Sequence, residues 1–155
     1  MTEIINQNFL SPNKFRVVIT RFPNLEFFAQ SVNIPGFETD SVHVPTNAPN
    51  DYYEIGDKIK FNELKIDFIL DEDIQTFKEI FNWSMLSQTT SRKDFKPFSD
   101  ITIMVLTNNS NINFQYTIHN AFPYIMDDID MSTKRSEDSP VLMSVRFKYS
   151  HYEIS

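Results

Sequence analysis

A chain of 155 residues is long enough for one domain with one real core, and its 41% hydrophobic and 23% charged residues suit a globular protein and exclude a disordered one. It contains no cysteine, which excludes disulfides, thiolate metal centres and cysteine nucleophiles. Net charge is −7; residues 37–73 hold ten acidic against three basic residues, a deficit equal to that of the whole chain, which argues against gripping nucleic acid through clustered Lys and Arg.

Residues 1–10 carry Glu3 and no base, and they lack an apolar run of signal-peptide length. They read as a flexible segment leading a single domain, and no apolar run is long enough to span a bilayer. Strand signals follow. In residues 14–20, Phe15, Val17 and Ile19 alternate with Arg16, Val18 and Thr20. After the Phe22-Pro23-Asn24 turn, residues 25–32 read as a second strand with Leu25, Phe27 and Ala29 on one face, stopped by Pro35 and Gly36. Residues 37–44 are a weaker strand, and residues 45–57 read as a long exposed loop.

Residues 60–70 form a long strand with Leu64, Ile66, Phe68 and Leu70 on one face and Glu63, Lys65, Asp67 and Ile69 on the other. Ile59 and Phe61 break that parity, which a bulge near Asn62 or a second covered face explains. One helix is expected over about residues 72–87. Asp71 caps it, Glu72 and Asp73 suit its first turn, and Ile74, Phe77, Ile80, Phe81 and Trp83 or Met85 form its apolar stripe. Further strands are expected at residues 101–107, 112–119, 122–131 and 141–152, with a hairpin turn at Asn108 to Asn111. The fold class is mainly β: a split antiparallel barrel, or two packed sheets, with one flanking helix.

Catalytic chemistry is hard to assemble from this inventory. Two glycines disfavour glycine-cradle nucleotide sites. His43, His119 and His151 lie far apart along the chain without metal-ligand spacing, so polar strand positions are their reading. Asp127, Asp128 and Asp130 are spaced like part of a calcium loop but lack its Gly and distal Glu. The expectation is no enzyme, no cofactor and no metal.

An ordered series of short motifs resembles the tail-tube proteins of contractile-tailed bacteriophages. Ser11-Pro12-Asn13 with Phe15, then a strand, resembles that family's opening, and Asn33-Ile34-Pro35-Gly36 its turn after the second strand. Gly56-Asp57-Lys58, then Phe61, Leu64, Ile66 and Phe68, then Asp71-Glu72-Asp73 and a helix ending near Trp83, resembles its centre. Asn120-Ala121-Phe122-Pro123 and the long last strand complete a series covering residues 11–153. The connection over residues 89–99 is shorter than in many relatives.

The resemblance implies a hexameric ring whose sheets join around a channel, rings that stack into a tube inside a contractile sheath, and DNA passing through the lumen. It implies as partners the chain itself, sheath and baseplate proteins and transient DNA, with no membrane binding of its own. It places the protein in the virion after assembly in the host cytoplasm. A baseplate tube initiator of the same fold and a monomeric β-sandwich binding module are the alternatives. Tyr52, Tyr53 and Ile55, apolar bodies in an exposed loop, are expected to contact a neighbouring subunit. Glu63, Lys65 and Asp67 are expected to face the lumen in a net acidic wall, which Arg146 and Lys148 would oppose if they shared it; the alternative turns this face outward, toward sheath or solvent.

Overall fold

The computed structural model describes residues 9–89 and 97–155. In chain order the described elements are β1 (Phe15–Ile19), a 3-10 helix (Pro23–Phe28), β2 (Ala29–Val32), β3 (Phe37–Val44), β4 (Tyr52–Phe61), β5 (Leu64–Ile69), α1 (Gln75–Thr89), β6 (Ser99–Leu106), β7 (Ile112–Met126), β8 (Leu142–Lys148) and β9 (His151–Ile154). The flexible segment expected over residues 1–10 lies, up to residue 8, outside the described residues, as does most of the short connection after α1.

Seven strands form one antiparallel ladder in the order β1-β6-β7-β8-β5-β2, with β9 added to β7. Strand β7 makes this ladder a two-layer structure. Its first part pairs with β6 and β9, and from Phe122 onward it pairs with β8. The switch falls at Asn120, which takes φ 57°, a left-handed value that Asn tolerates better than most residues. Among the described residues the ladder's two ends, β1 and β2, are not hydrogen-bonded to each other, so the barrel stays split. The hairpin β3–β4 stands apart as a second, two-stranded sheet.

The two layers close on one core. Val17 and Ile19 of β1, Leu64, Ile66 and Phe68 of β5, Ile101 and Ile103 of β6, and Met143, Val145 and Phe147 of β8 are all buried. Each such side chain contributes about 1.5–3 kcal/mol on leaving water. Helix α1 covers this core through Ile80 and Trp83. The Trp83 ring lies 5.5 Å from that of Phe22 and 5.9 Å from that of Phe147, and its indole N–H donates to the Pro97 carbonyl.

Several expected boundaries are corrected. Residues 25–32 are not one strand: Pro23 sits in the first turn of a 3-10 helix, where its missing N–H costs nothing, and extended backbone begins only at Ala29. Leu25 is still buried, whereas the side chain of Phe27 lies outside what is described. The expected strand over residues 60–70 is two strands, β4 and β5, separated at Asn62 and Glu63, which accounts for the parity change. Helix α1 starts at Gln75, so Glu72 and Asp73 precede its first turn; Asp71 still caps it by accepting the Gln75 N–H at 3.0 Å. Ile74, Phe81 and Met85 are exposed, and Ile74 occupies a left-handed turn at φ 47°. The strands expected at 112–119 and 122–131 are one, ending at Met126, and the one expected at 141–152 breaks between Lys148 and His151.

Candidate functional site

The hairpin β3–β4 is the least self-sufficient part of the molecule. Its expected loop character over residues 45–57 is corrected: backbone is irregular only to residue 51, and Tyr52 onward pairs with β3 through Tyr52↔Val44, Tyr53↔His43 and Ile55↔Ser41. The pairing slips between Thr39 and Ser41. There Gly56 lies so close to Asp40 that a Cβ would sit 2.8 Å from the Asp40 carbonyl carbon, which is why a side chain is absent at this bulge.

Almost every residue of the ribbon is exposed on both faces. Tyr52 is 51% exposed, Tyr53 68% and Ile55 90%, and Phe37, Val42 and Ile59 are more than half exposed. A two-stranded ribbon is marginal in water by itself. This one is fixed at its root. The Asn62 N–H donates to the Gly36 carbonyl at 3.0 Å, the Tyr149 hydroxyl to the Asn62 carbonyl at 2.5 Å, and the Tyr152 hydroxyl to the Pro35 carbonyl at 3.0 Å. The Phe61 ring packs 5.0 Å from Tyr152 and 6.1 Å from Tyr149. Burial at this root, then the neighbouring Tyr152, pushes the Tyr149 phenol up to about 12. The ribbon is therefore a firmly rooted arm whose blade exposes Tyr52, Tyr53 and Ile55 among charged side chains, with the Tyr53 ring 5.3 Å from that of His43.

The second surface is the outer face of β5 and β8. Leu64, Ile66 and Phe68 point to the core, so Glu63, Lys65 and Asp67 point away from it. Register sets Lys65 opposite Arg146 and Asp67 opposite Ser144. Arg146 lies 3.5 Å from Glu63 and 4.0 Å from Asp127. Asp67 accepts hydrogen bonds from the hydroxyls of Ser31, at 2.7 Å, and Ser144. Burial alone would raise the Asp67 carboxyl, but the two hydroxyls and Lys65 overcome it and hold the group below its ordinary range. Glu63, Asp67 and Asp127 thus share this face with Lys65, Arg146 and Lys148. Pairing with β8 sets the bases Arg146 and Lys148 beside the acids of this face.

A third constellation escaped sequence reading. His119 and His151, distant in the chain, are direct partners in the β7–β9 register, and their rings lie 4.8 Å apart. The local signal available was the alternating polar face of each strand, and that signal says nothing about which strands pair.

A family model described as phage tail tube protein matches residues 5–155. Among solved structures, the chain is similar to one in the cryo-EM structure of the anti-feeding prophage baseplate, with TM-score 0.74, 10% identity and 97% of each chain covered. It is similar to one in the sheath–tube complex of an extracellular contractile injection system, with TM-score 0.73, 12% identity, and 96% of this chain and 93% of that one covered. It is also similar to a type six secretion system protein, with TM-score 0.54, 11% identity, and 90% and 81% covered. No curated protein sequence matches this one. At these identities structural likeness carries the fold alone, whereas the family match runs over nearly the whole chain and over every surface described above. The protein therefore belongs to the phage tail tube protein family, as a structural subunit of a tail tube and not an enzyme.

Proposed function

We propose that this subunit forms hexameric rings which stack into the inner tube of a contractile tail, with the ribbon β3–β4 reaching onto a neighbouring subunit. The observation that carries this reading is the rooted arm with its exposed Tyr52, Tyr53 and Ile55. A soluble domain has no reason to hold such residues on a two-stranded blade unless something covers them. The split barrel adds a second reason. Among the described residues, strands β1, β2 and β9 each have a ladder partner on one side only, and joining such edges between subunits satisfies the backbone groups an edge leaves open.

In the ring, the face bearing Glu63, Lys65 and Asp67 lines the channel. Its paired charges suit passage of a duplex, since a lining of unopposed Lys and Arg would hold DNA by releasing its counterions. Sheath and baseplate proteins are the lateral and end partners, and assembly takes place in the host cytoplasm. Size-exclusion chromatography with light scattering, followed by negative-stain imaging, tests the proposal: rings or tubes are expected, and a strict monomer at all concentrations overturns it. A tube initiator in the baseplate is the second reading, favoured by the likeness to the baseplate chain; it predicts single rings that do not extend into tubes.

A further inference from the structure

We propose that His119, His151 and Glu153 form a binding site for one divalent transition-metal ion of the zinc type, oriented by Asp100 and Ser150. The site is built by pairing rather than by sequence spacing. In an antiparallel ladder, directly opposed residues share a face, and the residue two further along either strand shares it too. His119 opposes His151, and Glu153 is two residues beyond His151 on β9. One potential ligand atom from each of these three residues lies within 4.8 Å of the other two.

The orientation of the rings distinguishes a ligand set from an incidental cluster. The Glu153 carboxylate lies between the two imidazoles, 3.5 Å from His119 Nε2 and 4.0 Å from His151 Nε2. The opposite ring nitrogen of each histidine has its own neighbour. His119 Nδ1 faces Asp100 Oδ2 at 3.7 Å, and His151 Nδ1 faces the Ser150 hydroxyl at 3.3 Å. Asp100 is itself fixed, because its Oδ1 accepts the Asn120 N–H at 3.2 Å. Asp100 Oδ2 stands just beyond hydrogen-bond distance of that nitrogen, and a carboxylate closing on it favours the tautomer that presents the other nitrogen's lone pair, as in carboxylate–histidine–metal arrangements. His119 Nε2, the atom so presented, is buried without a hydrogen-bond partner.

Two imidazoles and one carboxylate are a donor set suited to zinc and its neighbours rather than to magnesium or calcium, which take oxygen ligands. Donors on one such ion stand about 3.3 Å apart, given metal–ligand distances of about 2.0–2.1 Å. The exposed side chains of His151 and Glu153, 50% and 70% accessible, have the freedom to close that gap. Water completes the coordination. A bound ion would pin β9, whose ladder partner is β7, to the body of the sheet.

The test uses the 155-residue chain without an affinity tag. Isothermal titration with zinc chloride is expected to give one ion per chain, and cobalt substitution the visible absorption of a four-coordinate site. His151→Ala and Glu153→Gln, both at exposed positions, are expected to abolish saturable binding while leaving circular dichroism and the melting temperature in chelator unchanged. Asp100→Asn is expected to weaken binding by about 10–100-fold, as loss of an outer partner does. Zinc is expected to raise the melting temperature of the parent chain and not that of His151→Ala. Absence of saturable zinc binding overturns the proposal, as does binding that survives both substitutions. Loss of binding in His43→Ala, which removes the separate His43–Asp51 pair on the ribbon, overturns it equally.

Discussion

The arm is most directly tested by removing its blade while keeping its backbone. Tyr53 and Ile55 point to the same face of β4, and Tyr53→Thr with Ile55→Thr places at both positions β-branched side chains that favour extended backbone. Ile55 is 90% and Tyr53 68% exposed, so almost all of one side chain and two-thirds of the other are available to be covered by a neighbour. At about 1.5–3 kcal/mol for a fully buried large side chain, their joint loss is worth roughly 3–4 kcal/mol per contact. That corresponds to about two to three orders of magnitude in the association constant between subunits. The isolated subunit should be almost unaffected, because surface changes of this kind stay within about 0.5 kcal/mol. Sedimentation velocity over a concentration series reads the first quantity, and thermal unfolding of dilute protein reads the second. Assembly at an unchanged concentration, with the variant folded, would refute the arm as a subunit contact.

Trp83→Ala is expected to cost about 3–5 kcal/mol in denaturant unfolding, because it empties the space between Phe22 and Phe147 and orphans the Pro97 carbonyl; a loss below 1 kcal/mol would contradict that packing. Gly56→Ala should destabilise the ribbon by about 1–3 kcal/mol, since a Cβ there meets Asp40 backbone; faster hydrogen exchange confined to residues of β3 and β4 is the expected signature. Asp67 has a folded-state pKa below its ordinary 3.8, so its contribution is present above that value and lost as pH falls through the folded pKa. The stability gap between the parent chain and Asp67→Asn should therefore be constant near neutrality and shrink below pH 3.8, and a gap that widens on acidification would reverse the assignment.

The strands of the core were legible because burial on a pleated strand requires only a period of two. Leu64, Ile66 and Phe68, and likewise Met143, Val145 and Phe147, lie where their alternation predicts. The helix was legible from its spacing, although its start was not: Asp71 caps across a turn that holds Ile74 at positive φ, a local geometry with no periodic signal. The motif series was sufficient to suggest the family, since those motifs lie in order along one chain.

Which strands become neighbours is another matter, because pairing joins segments whose sequences carry no record of each other. The Pro45-to-Asp57 stretch looked like a loop because its apolar residues have no local partner; from Tyr52 onward it is strand, and only through register with β3. Arg146 neutralises the face of Glu63 and Asp67 only because β8 docks beside β5. His119 meets His151 only because β9 folds back on β7. Alternation along a strand is local and survives in the sequence, whereas register is a property of two backbones together, and it was register that created each of the three surfaces described above.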